Sequence, residues 1–146
     1  MRVAGNPIHA SSVLIGGRVL LIAGRAGSGK SDLTLRLIDR GALLVADDYT
    51  RLERRGMTLI ASPPAEIAGR IEVRGVGIID TAFASEGPVA LLLDLDAPAD
   101  RLPEEPLPTT ELEGIAIPTL PFVALEASAP IKAERALRQL GVGGPS

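Results

Sequence analysis

The chain has no cysteine and a single histidine, His9. The first absence excludes disulfides, thiolate metal centres and a cysteine nucleophile, and the second excludes a metal site built from several imidazoles. Aromatic residues are almost missing too: Tyr49, Phe83 and Phe122 are the only three, and there is no tryptophan. A stacking platform for bases is therefore not expected. The net charge of −3 supplies no basic field for nucleic acid. No apolar stretch approaches the ~20 residues of a membrane span. The first residues, Met1-Arg2-Val3-Ala4-Gly5-Asn6-Pro7, lack the apolar core of a signal peptide. These absences fit a cytoplasmic protein with neither a membrane nor a nucleic-acid partner. With 146 residues, 46% of them hydrophobic, and no repeat or linker, residues 1–146 read as a single domain. A disordered tail is expected over 142–146.

What the chain does have is a phosphate-binding pattern. Gly24-Arg25-Ala26-Gly27-Ser28-Gly29-Lys30-Ser31 fits Gly, four residues, then Gly-Lys-Ser/Thr. An apolar run, Val19 to Ala23, precedes it as a buried strand, and a helical run, Asp32 to Arg40, follows. Gly24, Gly27 and Gly29 are expected to let the backbone adopt positive φ and turn N–H groups around an anion. The helix N-terminus adds unpaired N–H groups and a favourable dipole. Lys30 can reach outer phosphates and Ser31 can ligate Mg²⁺. A plain glycine-rich turn between strand and helix is the alternative, but strand, loop and helix all agree with the motif.

Before the loop, Ile8 to Ile15 and Arg18 to Ala23 flank Gly16-Gly17 and predict a β-hairpin. His9 lies in its first strand, near the phosphates if the hairpin folds over the loop. After the loop, Leu33, Leu37 and Ile38 mark the sheet-facing side of a helix over Ser31 to Arg40, with Gly41 as its cap. Ala42 to Asp48 is then a short apolar strand ending in two carboxylates, the pattern of a Walker B element. Neighbouring strand side chains point to opposite faces, so Asp47 and Asp48 are expected to do different jobs, Mg²⁺ binding and general-base work being the candidates. An exposed acidic turn is the alternative.

Further on, Tyr49 to Arg54 and Met57 to Ala61 predict a hairpin turning at Arg55-Gly56, and Ala65 to Gly69 one helical turn. In Arg70 to Asp80, Glu72 and Arg74 are expected to share a strand face, and Gly75 and Gly77 leave the backbone bare beside them for a ligand or another chain. A surface ion pair is the competing reading. Val89 to Leu95 reads as a central strand covered on both faces. Ala97 to Pro108 is a long proline-rich loop carrying Asp100, Arg101, Glu104 and Glu105, of the kind often tied to function. Ile115 to Leu120 reads as a strand cut by Pro118, Phe122 to Leu125 as a possible further strand, and Pro130 to Leu140 as a helix capped by Gly141.

These segments together resemble the HPr kinase/phosphorylases, which phosphorylate a serine of the phosphocarrier HPr. The resemblance is carried by Ile8-His9-Ala10, the loop Gly24 to Ser31, Leu44-Val45-Ala46-Asp47-Asp48, Ile71-Glu72-Val73-Arg74-Gly75-Val76-Gly77-Ile78-Ile79 and Asp100-Arg101-Leu102. It runs from about Ile8 to Pro121. It implies an α/β P-loop kinase domain of the HPr kinase type, with a central mixed sheet and a β-hairpin before the loop. The implied activity is that of an ATP- and Mg²⁺-dependent serine kinase acting on HPr or an HPr-like carrier of a phosphotransferase system. In this pattern Lys30 holds phosphates, Ser31 and Glu72 bind Mg²⁺, Asp48 takes the serine proton, and His9 and Arg101 assist at the phosphoryl group. A hexamer is implied as well. A nucleotide-sensing module without phosphoryl transfer and a small-metabolite kinase are the rival readings of the same loop.

The chain departs from the family pattern in three ways. Its His stands close to the first residue, which suggests a short, alphaproteobacterial-type form without the N-terminal family domain. Ala26 stands where the family often has Ser. The family's P-V-R-P-G-R-N segment, associated with its dephosphorylating activity, is missing between Ile117-Pro118 and Val123-Ala124-Leu125-Glu126. Weak or absent phosphorolysis is expected for that reason.

Overall fold

A computed structural model describes residues 5–143. Strands β1 (Ala10–Ile15) and β2 (Arg18–Ala23) form the expected hairpin, paired from Ala10↔Ala23 to Ile15↔Arg18. Gly16 and Gly17 both take positive φ at the turn, as a two-residue hairpin with right-handed strand twist requires. Helix α1 (Lys30–Asp39) follows the glycine-rich loop, and β3 (Leu43–Ala46) returns to pair antiparallel with β1. Strands β4 (Arg51–Arg55) and β5 (Thr58–Ser62) make a second hairpin, β6 (Arg70–Val73) and β7 (Gly77–Asp80) a third. Strands β8 (Gly87–Asp94), β9 (Thr109–Leu112) and β10 (Ile115–Pro121) and helix α2 (Ala129–Leu140) complete the chain.

The main sheet runs β3-β1-β2-β8-β10-β9, with β5 joined antiparallel to β8 and carrying β4. β2, β8 and β10 are parallel, and the rest of the ladder is antiparallel, so the sheet is mixed as expected. Successive side chains alternate between two cores. Leu20 and Ile22 pack with Leu33 and Leu37 of α1 and Ala133 and Leu137 of α2 on one face. Val19 and Leu21 pack with Val45, Leu52 and Leu59 on the other. A strand buried on both faces reads as a continuous apolar run, which is why Val19 to Ala23 and Val89 to Leu95 stood out. Burying each fully enclosed leucine contributes about 1.5–3 kcal/mol, and Leu20, Leu21 and Leu91 are all fully enclosed.

Several local expectations need correction. The stretch from Arg70 to Asp80 is a hairpin, with Arg74 in its turn, so Glu72 and Arg74 do not share a strand face. Pro118 does not cut its strand. Thr119 N–H bonds to the Pro108 carbonyl, so the Pro118 nitrogen faces the other edge, where pairing to β8 begins only at Thr119. Phe122 to Leu125 forms no strand, whereas β9, too short and polar to stand out, does. The second hairpin turns one residue later than expected, at Gly56-Met57. His9 sits just before β1 rather than in it, beside the bridge in which Ile8 and Thr50 exchange hydrogen bonds of 2.9 and 3.1 Å. Val142 N–H donates to the Ala90 carbonyl of β8 (3.0 Å) and its own carbonyl accepts from Arg18 (3.2 Å), while 144–146 of the expected disordered tail lie outside the described residues. At the surface, Arg55 hydrogen-bonds Glu86 and Glu53; this bond holds the Glu86 carboxyl below its usual range and raises the Arg55 pKa. The pKa of Arg40, which caps the C-terminus of α1, is likewise raised, by its hydrogen bond to Glu134 of α2.

Candidate active site

Strands β2, β3, β8 and β10 all run in one direction, because β1 is antiparallel to both β2 and β3 while β8 and β10 are parallel to β2. Their C-terminal ends and the start of β1 therefore meet at one edge of the sheet, the edge where open α/β sheets bind ligands. His9, the loop Gly24 to Ser31, Asp47 and Asp48 all converge there.

Two loop glycines, Gly27 (φ 82) and Gly29 (φ 103), occupy the left-handed region, and Gly29 is the N-cap of α1. Gly24 does not. Its need for glycine is steric: a Cβ there would lie 2.6 Å from Ser28 Oγ and 2.9 Å from Leu95 Cβ. Arg25 opens the loop with its N–H on both oxygens of Asp96, at 3.0 and 3.1 Å. Arg25, Ala26 and Gly27 are exposed along the rim. Lys30 is only 5% exposed, and its ammonium donates to the carbonyls of Gly24 (2.6 Å) and Arg25 (3.2 Å). The cation is thus held against the loop by the loop itself. Ser28 Oγ is buried inside the loop without a hydrogen-bond partner. A buried hydroxyl without a partner costs about 1–3 kcal/mol, so this is a cradle with a spare donor, a cation and a helix N-terminus. It fits a polyphosphate.

Asp47 is the hub of the neighbouring cluster. One of its oxygens accepts from Ser31 Oγ (2.9 Å) and Ser11 Oγ (3.4 Å), and the other accepts from the Glu72 N–H (3.0 Å). It thereby joins α1, β1, β3 and β6 at a single carboxylate. Asp48 turns away, but not by strand alternation, because β3 ends at Ala46 and both aspartates lie beyond it. It adopts φ 69, left-handed for a residue with a Cβ, a conformation that costs on the order of 1–3 kcal/mol and persists where surrounding contacts impose it. Those contacts are its N–H to Ser11 Oγ (2.9 Å), the Tyr49 N–H to the Asp47 carbonyl (2.8 Å), and its own carboxylate against His9 Nε2 (2.7 Å). His9 in turn packs on Tyr49, ring centres 5.2 Å apart. Both His9 and Asp48 remain about half exposed, so the pair is open to an incoming group.

Ser11 was not singled out from the sequence. The available signal was a polar pair, Ser11-Ser12, in an otherwise apolar strand; both are fully buried, and Ser12 bonds Thr50 at 2.8 Å. Glu72 reaches the cluster by its backbone, while its side chain is exposed on the β6–β7 hairpin beside Arg74 and Gly75, around a shallow concavity. Among the described residues no group of three or more His, Asp or Glu side chains could hold a metal ion alone. Ser31, Asp47 and Glu72 instead offer the few hard oxygen donors with which Mg²⁺ is held when phosphates complete its shell. Arg101 is not brought to His9 and Asp48. It is exposed on the loop after β8 and lines a different cavity, with Val123 and Lys132.

The comparisons with known proteins bear on the family and the fold. The family described as HPr Serine kinase C-terminal domain matches residues 3–86. HPr kinase/phosphorylase of Clostridium botulinum strain Eklund 17B is 44% identical over 73 residues, 50% of this chain and 24% of that protein. The Listeria monocytogenes serotype 4a protein of the same name is 46% identical over 74 residues, again 50% of this chain and 24% of that one. The chain thus spans about a quarter of the length of these curated relatives. Among solved structures, the Hpr(Ser) kinase/phosphatase of Coxiella burnetii superposes with a TM-score of 0.79 at 33% identity, covering 90% of this chain and 87% of that one. With the family matched over more than half its residues and the fold over nine-tenths, the chain belongs to the HPr serine kinase C-terminal domain family.

Proposed function

We propose that this protein is a Mg²⁺- and ATP-dependent kinase that phosphorylates a serine of HPr or an HPr-like phosphocarrier. The observation that carries the reading is the placement of Asp48. It is strained, paired with His9, and joined through Ser11 and Asp47 to Ser31, the residue after the loop lysine. Bound Mg²⁺-ATP would supply the transferable phosphoryl group and the charge that neutralises it. The loop N–H groups and Lys30 hold the phosphates. Ser31 and Glu72 would ligate the metal, with Asp47 holding the Ser31 hydroxyl and the Glu72 backbone N–H. The serine hydroxyl of the carrier is a weak nucleophile; Asp48 takes its proton as the new bond forms, and His9 orients that carboxylate. Most of the acceleration comes from positioning and charge neutralisation. The assistance from Arg101 that the family pattern implies requires the loop after β8 to approach His9 and Asp48.

Several features support the kinase direction alone. Phosphorolysis needs inorganic phosphate in line with an anionic phosphoserine, and bringing two anions together in a partly dry site costs several kcal/mol unless cations offset it. The family segment with two arginines is missing, and Arg101 lines a different cavity from the one at His9 and Asp48. A cytoplasmic, hexameric enzyme belongs to the same reading, on family pattern; among the described residues no helix is long and apolar enough to cross a membrane. The test is incubation with labelled ATP, Mg²⁺ and HPr-like carriers. Acid-stable phosphoserine on a carrier is expected, and nucleotide binding without transfer to any carrier would overturn the reading.

A further inference from the structure

His9, Ser11, Asp47 and Asp48 flank one side of the nucleotide loop, the side of β1, β3 and β6. On its other side lie the segments that follow β8 and β10. After β10 the chain runs on without forming a strand. Phe122 and Ala124 are buried, while Val123 and Leu125 are 49% and 68% exposed, so the two outward side chains share a face. The segment is fixed to the loop's own helix: Arg36 of α1 donates to the carbonyls of Ala124 and Glu126. Phe122 N–H bonds to Asp94 at the end of β8 (3.0 Å). The platform touches the phosphate loop directly, since a Cβ on Gly29 would meet Leu125 Cδ2 at 2.9 Å and Ala124 Cβ at 3.2 Å. At its far end, Val123 lines a cavity of about 440 Å³ together with Phe122, Asp100, Glu104 and Pro103, within the range of small-molecule sites.

We propose that Val123 and Leu125 form the nucleoside subsite, on which the base and ribose of the nucleotide lie while its phosphates sit in the loop; this rests on the nucleotide reading above. The direction of the ligand follows from the layout. The transferable phosphate faces His9 and Asp48, so the rest of the nucleotide leaves the loop on the opposite side, across Gly29 and onto Leu125. The charges agree. The cavity beyond carries Asp100, Glu104 and Glu126 against Arg101 and Lys132, and Lys132 is already bonded to Glu126 at 2.9 Å. That balance disfavours a second phosphate group and suits a neutral base with donor edges. Aliphatic surface, not an aromatic stack, takes the base, consistent with three aromatic residues in the whole chain.

The experiment compares Mg²⁺-ATP with Mg²⁺-tripolyphosphate, which carries the phosphates without the nucleoside. Their dissociation constants are measured by calorimetry on the wild-type protein and on the double variant Val123→Ser, Leu125→Ser. Wild type should bind ATP more tightly than tripolyphosphate. The variant should lose on the order of tenfold in ATP affinity and keep its tripolyphosphate affinity. Three outcomes overturn the subsite while leaving the nucleotide loop intact: equal wild-type affinity for the two ligands, unchanged ATP affinity in the variant, or equal loss of both ligands, which would show that Leu125 acts only on loop shape. Binding of neither ligand by the wild-type protein would instead overturn the nucleotide reading itself, and the subsite with it.

Discussion

The two flanks of the phosphate loop are built by different means. On the β1–β3 side, side chains hold one another: Ser11, Ser31 and the Glu72 backbone on Asp47, and His9 on Asp48. On the β8–β10 side, the fastening is to backbone groups, Asp96 on the Arg25 N–H and Arg36 on two carbonyls, and what faces outward is apolar. Side-chain networks fix charges and proton acceptors in register, whereas backbone fastening leaves outward side chains free to present a surface. The first flank suits chemistry and the second suits holding. Substitutions on the first should therefore change turnover or metal use, and those on the second should change ligand affinity.

Lys30 lies in the loop between the flanks and, in the proposed reading, holds the phosphates that both act on, so its loss should be the most severe. Lys30→Ala is expected to lower phosphoryl transfer on the order of a hundredfold or more; near-normal turnover in a steady-state kinase assay would break the P-loop account. Next comes the direction of the reaction. Given serine-phosphorylated carrier, Mg²⁺ and millimolar phosphate, the protein should release pyrophosphate at least about tenfold more slowly than it phosphorylates the carrier, by the anion-repulsion argument. Matching rates would show that the missing arginine segment is dispensable. Glu72→Gln should raise the Mg²⁺ concentration needed for half-maximal activity on the order of tenfold, because an amide is a weaker ligand than a carboxylate for a hard cation. An unchanged Mg²⁺ titration would return Glu72 to the role of a surface charge.

The smallest effect sharpens the contrast from inside the first flank. Ser11→Ala removes the acceptor for the Asp48 N–H and one donor to Asp47. It should cost about 1–3 kcal/mol of stability, read from urea unfolding, because it leaves a partly buried N–H unpaired. Turnover should fall by less than in Lys30→Ala. An intact unfolding midpoint and intact turnover together would show that Ser11 does not hold the strained Asp48 turn.

The sequence was most legible where one local rule decides the outcome. The Gly16-Gly17 hairpin, the loop Gly24 to Ser31, α1 and the doubly buried β8 are set by turn chemistry, glycine spacing or continuous apolar runs. It was least legible where partners distant in sequence decide. Pro118 looked like a break because only the β9 ladder shows which edge its nitrogen faces. Gly24 was expected to be a φ-positive glycine, but Leu95 and Ser28, one of them from another strand's end, demand its small size. Within the site, Asp47 and Asp48 were expected to do different jobs, and they hold different partners, but the central position of Asp47 needed Ser11 and Glu72 to be seen beside it. Arg101 was grouped with the catalytic set by its motif, and the fold places it on the loop after β8, at a cavity shared with Val123 and Lys132.

The most direct test of the division between the flanks is Asp48→Asn, followed in the same preparation by single-turnover phosphoryl transfer to an HPr-like carrier and by calorimetric binding of Mg²⁺-ATP. The substitution keeps the side chain's shape and its place beside His9 but nearly abolishes its ability to accept a proton. Transfer should fall on the order of a hundredfold while nucleotide affinity stays within about twofold, as for a group that acts only in the transition state. A collapse of nucleotide affinity in step with transfer would contradict the account, making Asp48 a metal or structural residue and leaving Asp47 as the better proton acceptor.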